Sequence, residues 1–408
     1  HNSPSLPIRA KNVYKRGPSA VKILLVHCHY RLPGGEDAVF AAERALLERR
    51  GHQVIVYERS NEEAAHGLPK ALLPLHAVWN HAAARDIKHI IKTQNIDAVH
   101  IHNTLLLLSP AVVRAAKSTG VPVVQTLHNF RLFCPNGILL RDGRVCEDCP
   151  RHGLSCAIRH RCYRGSLAQT LVVAAAYGLH RRLGTWRGVT MVALTEFDRQ
   201  KLLEFNRQYP MFDADRLMVK PNPVCVPSGP VNPWGDRKNQ MLFAGRLEEL
   251  KGLRTVLEAW RLLGDAAPAL LVAGEGPLGD WARAQNLPNV QFLGQLPRAE
   301  LHARMAESRA VVAASLCYES FALVPAEAHA LGTPVLASGL GNVGASVQPG
   351  FDGLCFAPGD ANALAGAVRA FGQMSFDCNA IAARARRTYS EDENYNALMR
   401  FYTKGTIQ

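Results

Sequence analysis

The order of apolar and polar positions divides the first half of the chain into alternating strands and helices. A continuous apolar run, VKILLVH, begins at Val21, and such a run is typical of a strand that is buried on both faces. Helical periodicity follows from about Asp37 to Arg50. Further strand-like runs lie at 54–57, 98–102, 121–128 and 190–194. This alternation predicts right-handed βαβ units and a parallel sheet that binds ligands at the carboxyl ends of its strands.

A second alternation occupies the other half of the chain. Between the two, residues 221–235 are rich in proline, so we place the domain boundary there. Beyond it we expect helices at about 252–263 and 323–331, and strands at 241–245, 270–274, 290–294, 311–315 and 334–338. The pattern predicts a second α/β domain, with a deep cleft between facing strand ends.

The length of 408 residues agrees with two domains of about 190 residues each. We expect a basic tail over 1–20, a first Rossmann-like domain over 21–220, and a second over 221–390. The final segment, 391–408, is expected to form a helix that crosses back to the first domain. The longest nearly apolar run, 167–179, is too short to cross a bilayer, which takes roughly 20 residues. No secretory leader is expected at the start of the sequence, and the ten cysteines are expected in a reducing cytoplasm.

Charge distinguishes the two halves. The formal net charge is +13, and residues 1–220 hold 31 Lys and Arg against 17 Asp and Glu, whereas 221–408 hold 16 against 17. The halves therefore carry +14 and −1. A basic surface attracts nucleic acid, anionic lipid or phosphorylated substrates, and charge alone does not choose among them.

Charged residues and glycines in the second half follow predicted strands. Arg246 comes at the end of one strand, Lys251 at the start of the next helix, and Glu319 and Glu327 have seven residues between them; Gly-Glu-Gly-Pro follows another strand at 274–277. This ordered set resembles that of the retaining glycosyltransferases of GT-B fold, in family four, from about residue 21 to residue 402. The resemblance implies two Rossmann-like domains that bind a nucleotide-sugar donor in the cleft between them.

The resemblance also implies a role for each matching residue. Arg246 and Lys251 would bind the donor diphosphate, Glu327 the ribose hydroxyls, and Glu319 the transferred sugar. Backbone donors near the start of the helix would face sugar or phosphate, at Ser320, Phe321, Ala322 and Leu323. His128 ends the strand 121–128 at the position where the family carries a histidine beside the reaction centre. As alternatives, Arg246 could pair with Glu248 or Glu249 on the surface, and either Glu319 or Glu327 could cap a helix or pair with an arginine.

Two further patterns bear on this resemblance. Gly34 and Gly35 lie between the first strand and its helix, where the family has a Gly-Gly turn over the donor phosphate, although an ordinary βα turn explains them nearly as well. The family often has a glutamate in the loop after the strand 334–338, but here the loop reads GLGNVGAS from Gly339 and contains none. The sugar contacts that the family makes through this loop are therefore not assigned to its residues here.

A pair of carboxylates is also what most glycosidases use for catalysis. If Glu319 and Glu327 lay on one helix, eight residues at 1.5 Å would separate them by about 12 Å, beyond the roughly 5–9.5 Å that glycosidases need. The spacing therefore favours two different contacts on one ligand.

A cysteine-rich and arginine-rich insertion is expected over 131–187. Five of the ten cysteines lie in residues 134–162, and Cys146 and Cys149 form a CxxC pair. With Cys134 and Cys162 or Cys156 they could hold a structural zinc ion, or they could remain reduced thiols or form disulfides after purification. Catalysis in the family needs no bound metal ion. Residues 141–187 also hold nine arginines against three acids.

We therefore expect a retaining hexosyltransferase that uses a UDP- or GDP-sugar and a glycan or lipid-linked acceptor, in surface polysaccharide or glycolipid synthesis. The basic insertion predicts a cytoplasmic protein bound at the inner face of an anionic membrane, although a solvated basic face explains the arginines about as well. No base-stacking aromatic array accompanies them, so nucleic acid is not expected as a partner. The alternatives are a nucleotide-sugar epimerase of the same fold and a non-catalytic, basic membrane-binding protein.

Overall fold

The structure is a computed structural model that describes residues 20–30, 34–62 and 73–403. The basic tail expected over 1–20 lies, except for its last residue, outside the described residues. Within them the chain forms two six-stranded parallel sheets with helices packed around them, as the alternating pattern predicted.

The first sheet contains six strands in the order β2-β1-β3-β4-β7-β8. Every neighbouring pair is parallel. A separate antiparallel pair, β5 and β6, lies in the insertion. The strands are β1 Lys22–His29, β2 Gln53–Ser60, β3 Ala98–Ile101, β4 Val123–Thr126, β5 Leu140–Arg141, β6 Arg144–Val145, β7 Thr190–Ala193 and β8 Leu217–Val219.

The second sheet has the order β11-β10-β9-β12-β13-β14, and its pairs are also all parallel. No regular element of the chain lies between Val219 and Trp234. The strands are β9 Lys238–Ala244, β10 Ala269–Ala273, β11 Val290–Gly294, β12 Ser308–Ala313, β13 Val335–Ser338 and β14 Gly353–Phe356.

The described α-helices cover both faces of the sheets, and short 3₁₀ turns such as Glu249–Lys251 occur between elements. None of these helices has the length and apolar character to cross a bilayer. In chain order they are α1 Gly35–Arg49, α2 Leu73–Val78, α3 His81–Gln94, α4 Ala111–Lys117, α5 Asp148–His152, α6 Ser155–His160, α7 Leu167–Arg182, α8 Glu196–Gln208, α9 Leu253–Leu263, α10 Gly279–Arg283, α11 Arg298–Glu307, α12 Leu323–Ala330, α13 Gly341–Ala345, α14 Ala361–Phe371, α15 Cys378–Thr388 and α16 Glu391–Thr403.

The last helix, α16, packs against the first sheet although it follows the second sheet in the chain. Leu398 and Phe401 join the same buried apolar cluster as Ile23 and Leu25 of β1. The Tyr402 hydroxyl lies 2.8 Å from Nδ1 of His100 in β3. The helix thereby ties the two ends of the described chain together.

The sequence pattern did not predict the two-residue strands β5 and β6, nor β8 and β14 of the main sheets. Strands β8 and β14 are both short, and β14 begins with Gly353, whose φ is 154°. A Cβ there would lie 1.9 Å from the carbonyl oxygen of Val335, so only glycine allows this close pairing with β13. The apolar runs of β8 (LMV) and β14 (GLCF) are only three and four residues long, too short to give a clear strand pattern.

Candidate active site

The loops that carry the predicted donor residues leave the carboxyl ends of β9, β10 and β12. Gly274 and Gly252 bring these loops together, since a Cβ at Gly274 would lie 1.9 Å from the oxygen of Gly245 and one at Gly252 would lie 2.0 Å from that of Ala314. Gly252 also has a φ of 72°, which favours glycine. These two glycines fix the backbone on which Lys251 is placed.

Lys251 and Glu319 lie in contact. Nζ of Lys251 is 2.8 Å from Oε1 of Glu319, which also accepts a hydrogen bond from the Ser315 hydroxyl. The two charged side chains retain 32% and 18% exposure. A partly exposed pair of this kind contributes at most about 1 kcal/mol, so a charged ligand could compete for either partner.

The loop that carries Glu319 is held from behind by Asn342. Its side-chain amide donates to the carbonyl oxygens of Glu319, at 2.5 Å, and Ser320, at 3.1 Å. It also donates to Oδ1 of Asp198 at 2.8 Å, and its Oδ1 accepts from the Thr195 hydroxyl at 2.5 Å. Asn342 stands in the loop where the expected glutamate is missing, and it links that loop to the start of α8 beside the first sheet.

Arg246 and Glu327 each have a partner of opposite charge. Nε of Arg246 is 3.4 Å from Oε2 of Glu248, the surface pairing considered as an alternative, and the arginine side chain is 60% exposed. Glu327 lies in α12 and is only 4% exposed. Its Oε1 lies 2.7 Å from Nη2 of Arg298 and 3.3 Å from Nε2 of His302. Neither contact uses the other carboxylate oxygen, Oε2.

The four predicted backbone donors do not all remain available. Helix α12 begins at Leu323, whose N–H donates to the Phe321 carbonyl at 3.0 Å. The Leu323 amide is therefore engaged within its own loop, which weakens its assignment as a ligand contact. Ser320 remains beside the cleft, as its place in the cavity below shows.

His128 lies at the end of β4 and contacts a second histidine. Its Nε2 is 3.0 Å from Nδ1 of His102, and the two rings stack with centroids 5.2 Å apart. Burial lowers the pKa of both imidazoles well below the usual value, so both are neutral at neutral pH. Nε2 of His102 in turn lies 3.5 Å from Oε2 of Glu43.

Glu43 belongs to a fully buried polar cluster under the first sheet. Its Oε1 pairs with Nζ of Lys220, and both side chains have 0% exposure. Nε2 of His100 lies 2.8 Å from the Thr126 hydroxyl. Burial lowers the pKa of His100 to about 4. The cluster therefore joins α1, β3 and the segment after β8 directly behind His128.

At the first βα turn, Gly34 and Gly35 are exposed and Gly35 begins α1. Oδ2 of Asp37 accepts the Gly34 N–H at 2.8 Å, while its Oδ1 lies 2.9 Å from Nε2 of His27 and 2.8 Å from Nδ1 of His29. A histidine that binds metal usually donates its other ring nitrogen to an acceptor, but Nδ1 of His27 is buried without a partner among the described residues. The cluster therefore fits a capped helix start better than a metal site.

A narrow cavity, without room for a water molecule, joins the two halves of the candidate site. Leu127 and Asn129, the neighbours of His128, line it together with Ser320, the neighbour of Glu319. Asp198 lines it as well, and burial raises the pKa of this carboxyl to about 7. The structure thus brings the end of β4 to the Glu319 loop.

The predicted cysteine ligands are all free thiols. Burial, followed by the neighbouring thiols of Cys134 and Cys162, raises the pKa of Cys149, which places these three side chains near one another. Among the described residues, no group of three or more cysteines has its sulfur atoms within 4.8 Å of one another. The thiols are neighbours without forming a closed tetrahedron.

Comparison with known proteins identifies the fold. The model of glycosyl transferases group 1 matches residues 230–388, and the model of glycosyltransferase family 4 matches residues 33–145. HepE of Anabaena, solved in complex with UDP, has a TM-score of 0.60 at 17% identity and covers 95% of this chain and 100% of its own. The fold is GT-B.

Two curated proteins are similar in sequence to part of this GT-B chain. A glycogen synthase of Mycobacterium tuberculosis is 39% identical over 137 residues, which is 32% of this chain and 33% of the relative. A D-inositol 3-phosphate glycosyltransferase of Nocardioides is 30% identical over 343 residues, 74% of this chain and 65% of the relative. The chain thus spans about a third of the first relative and just under two thirds of the second.

Sequence reasoning missed three residues that position this site: His102, Asn342 and Asp198. His102 carried a weak signal, since it follows His100 with the alternation of a strand. The only signal near Asn342 is that its loop lacks the glutamate that the family often has there. Asp198 carried no signal, because its role depends on how α8 meets the second domain.

Proposed function

We propose that this GT-B chain is a retaining glycosyltransferase that transfers a hexose from a nucleotide-diphosphate sugar to a glycan or lipid-linked acceptor. The proposed setting is the synthesis of a surface polysaccharide or glycolipid. The observation that carries the proposal is the shared cavity, which brings the flanks of His128 against the Glu319 loop. A donor that is held between the two domains requires these two strand ends to meet.

Lys251 and Arg246 are the proposed diphosphate ligands. Both side chains are at least 32% exposed and hold their glutamate partners only through pairs worth at most about 1 kcal/mol. A diphosphate offers more negative charge and several oxygens, so it can replace Glu248 and share Lys251 with Glu319. Negative charge that builds on the departing nucleotide would be stabilised by the same two cations.

Glu327 and Glu319 are proposed to bind the hydroxyl groups of the donor. Arg298 and His302 contact only Oε1 of Glu327, which leaves Oε2 for a ribose hydroxyl. Asn342 fixes the backbone of Glu319, so its carboxylate keeps a defined position beside Lys251. Such preorganisation lowers the cost of orienting the sugar.

His128 is proposed to contact the transferred sugar beside the reaction centre. Because burial keeps it neutral, it can orient a hydroxyl group without placing a positive charge there. His102 and, behind it, Glu43 hold the ring in place. In this proposal the acceptor attacks from the face that the nucleotide leaves, and the configuration of the sugar is retained.

The donor is proposed to be a UDP- or GDP-sugar, which is supported by the GT-B fold shared with a protein solved in complex with UDP. We further propose that the protein acts in the cytoplasm at the inner face of an anionic membrane, without nucleic acid as a partner. Catalysis needs no metal in this proposal. A structural zinc ion on Cys134, Cys146, Cys149 and Cys162 is proposed separately.

Thermal-shift measurements with UDP, GDP, ADP and their sugars test the donor assignment, because a ligand that binds only the folded state raises its stability. A bound nucleotide sugar is then incubated with acceptor extracts, and the anomeric configuration of the product is read by NMR. Retention supports the proposal and inversion contradicts the mechanism. Interconversion of the sugar without any acceptor would instead identify an epimerase, and binding of no nucleotide would remove the enzyme assignment.

A further inference from the structure

Helix α7 exposes an apolar ridge that no residue within 20–30, 34–62 or 73–403 covers. Leu167, Leu171, Leu179 and Leu183 are 44%, 45%, 39% and 41% exposed, and Ala175 between them is exposed as well. These five residues, here called the leucine ridge, recur at every fourth position and extend over about 24 Å at 1.5 Å per residue. An unbroken exposed stripe of this length is unusual on a soluble surface.

The opposite face of α7 is firmly anchored in the first domain. Tyr177 is buried and stacks on Trp186 with ring centroids 5.9 Å apart. Nε2 of His180 lies 3.0 Å from the carbonyl oxygen of Val78, and Nδ1 lies 2.9 Å from the Thr185 hydroxyl. The leucine ridge is therefore the outward face of a fixed helix, and its exposure is a property of the packed domain.

Arginines flank both ends of the leucine ridge. Residues 149–195 contain seven arginines and not one aspartate or glutamate. Four of the seven precede α7 and three lie at or after its end. Arg151, the first of them, pairs with Glu147 and Glu204, whereas none of the other six has a carboxylate within 4 Å in the part of the chain that the structure describes. They are Arg159, Arg161, Arg164, Arg181, Arg182 and Arg187.

We propose that the leucine ridge docks onto an anionic lipid bilayer, with the leucines entering the interface and the flanking arginines binding lipid phosphates. The charge pattern selects this occupant, because a segment with seven arginines and no acid of its own complements a negatively charged membrane. A second copy of the chain would bring two sets of unpaired arginines against each other, which like-charge repulsion opposes. The aromatic rings nearby, Tyr163 and Tyr177, are buried and offer no platform for nucleic-acid bases.

The inference rests on the proposed function only for its purpose, which is to hold the first domain beside a lipid-linked acceptor. Its physical basis lies in α7 and its arginines, away from Lys251, Glu319 and Glu327. Docking and donor binding can therefore succeed or fail independently.

Co-sedimentation of the full chain with vesicles tests the proposal. We expect binding to vesicles of phosphatidylcholine and phosphatidylglycerol in equal parts, little binding to pure phosphatidylcholine, and release by salt. The double variant Leu171→Ser, Leu179→Ser should lose at least about tenfold in vesicle partition. Leu262→Ser is the matched control, since Leu262 is 43% exposed on α9 of the second domain, and it should bind as the parent does.

Charge reversal separates the two components of docking. Arg159→Glu with Arg182→Glu should also lose at least about tenfold, and the loss should disappear at high salt, where the parent itself is released. UDP and GDP affinity is measured on every variant. Unchanged vesicle binding in the leucine variant, or equal binding to neutral and anionic vesicles, would overturn the proposal, as would a concentration-dependent dimer in the parent that Leu171→Ser dissolves. Vesicle binding without nucleotide binding would leave docking intact and remove the proposed function.

Discussion

The polar cluster behind His128 and the charged pairs of the second domain use the same residue types in opposite ways. Glu43 and Lys220 have 0% exposure, whereas Lys251 and Glu319 keep 32% and 18%. A fully buried ion pair persists because removing one partner leaves the other charge uncompensated, at a high cost in stability. A partly exposed pair at the cleft is weak enough for a charged ligand to replace one of its partners. The degree of burial therefore distinguishes the ion pair that stabilises the fold, Glu43 with Lys220, from the pair that is proposed to bind the donor, Lys251 with Glu319.

Breaking the buried pair should give the largest effect. Lys220→Met leaves the Glu43 carboxylate uncompensated, and such a loss typically costs about 3–5 kcal/mol of unfolding free energy. Urea denaturation measures it. The matched control is Lys238→Met, because Lys238 pairs with Glu307 at 2.8 Å while 58% exposed and should cost less than about 1 kcal/mol. Equal costs for the two variants would refute the contrast, and adding Glu43→Leu to Lys220→Met should recover part of the loss.

This contrast also marks the limit of what the sequence could predict. The two parallel sheets followed from apolar runs such as VKILLVH, because a strand buried on both faces has to be apolar. Lys251 and Glu319 were predicted from the resemblance to family four, which their place near strand ends supported, and the structure brings them into contact. The pairing of Glu43 with Lys220 spans 177 residues and has no local signature, so only the folded chain could place it.

Asp198 gives a pH-dependent test at the contact between the domains. Burial raises its pKa to about 7, so the folded state holds a proton that the unfolded chain releases near pH 4. Binding of this proton therefore stabilises the folded state at low pH, and the stabilisation is lost as the pH rises through about 7. Asp198→Asn should therefore be more stable than the parent above pH 7, on the order of 2–4 kcal/mol, with the difference shrinking towards pH 4.

Unfolding midpoints of Asp198→Asn and the parent, measured across this pH range, check the prediction. Asp377→Asn is a suitable control, because Asp377 caps α15 at the surface. A stability difference that does not change with pH would show that Asp198 is ionised throughout.

Lys251→Met tests the exchangeable side of the comparison. Stability should change by less than about 1 kcal/mol, while affinity for a nucleoside diphosphate should fall by about 10- to 100-fold, since one charge-assisted contact is lost. Glu327→Ala should also weaken binding, but because Glu327 is 4% exposed its removal leaves Arg298 without its partner and should cost stability as well. Calorimetric titration with UDP and GDP, beside circular dichroism, separates the two outcomes. Unchanged affinity in both variants would remove the donor-site assignment.

The smallest effect on donor binding is expected from removing metal from the cysteine insertion. We expect about one zinc per chain, held by Cys134, Cys146, Cys149 and Cys162, since coordination would draw together thiols that already lie near one another around the β5-β6 hairpin. A chelator should increase proteolysis within 131–187. It should change nucleotide affinity less than about twofold, because the diphosphate ligands lie on the other sheet.

Cys146→Ser should abolish zinc in elemental analysis, and Cys355→Ser, an exposed cysteine of the second domain, should retain it. Protein that is purified without zinc and resists proteolysis equally before and after chelation would leave these residues as ordinary packed thiols. A large loss of nucleotide affinity on chelation would show that the insertion reaches the donor site, and the separation between a buried scaffold and an exchangeable site would no longer hold.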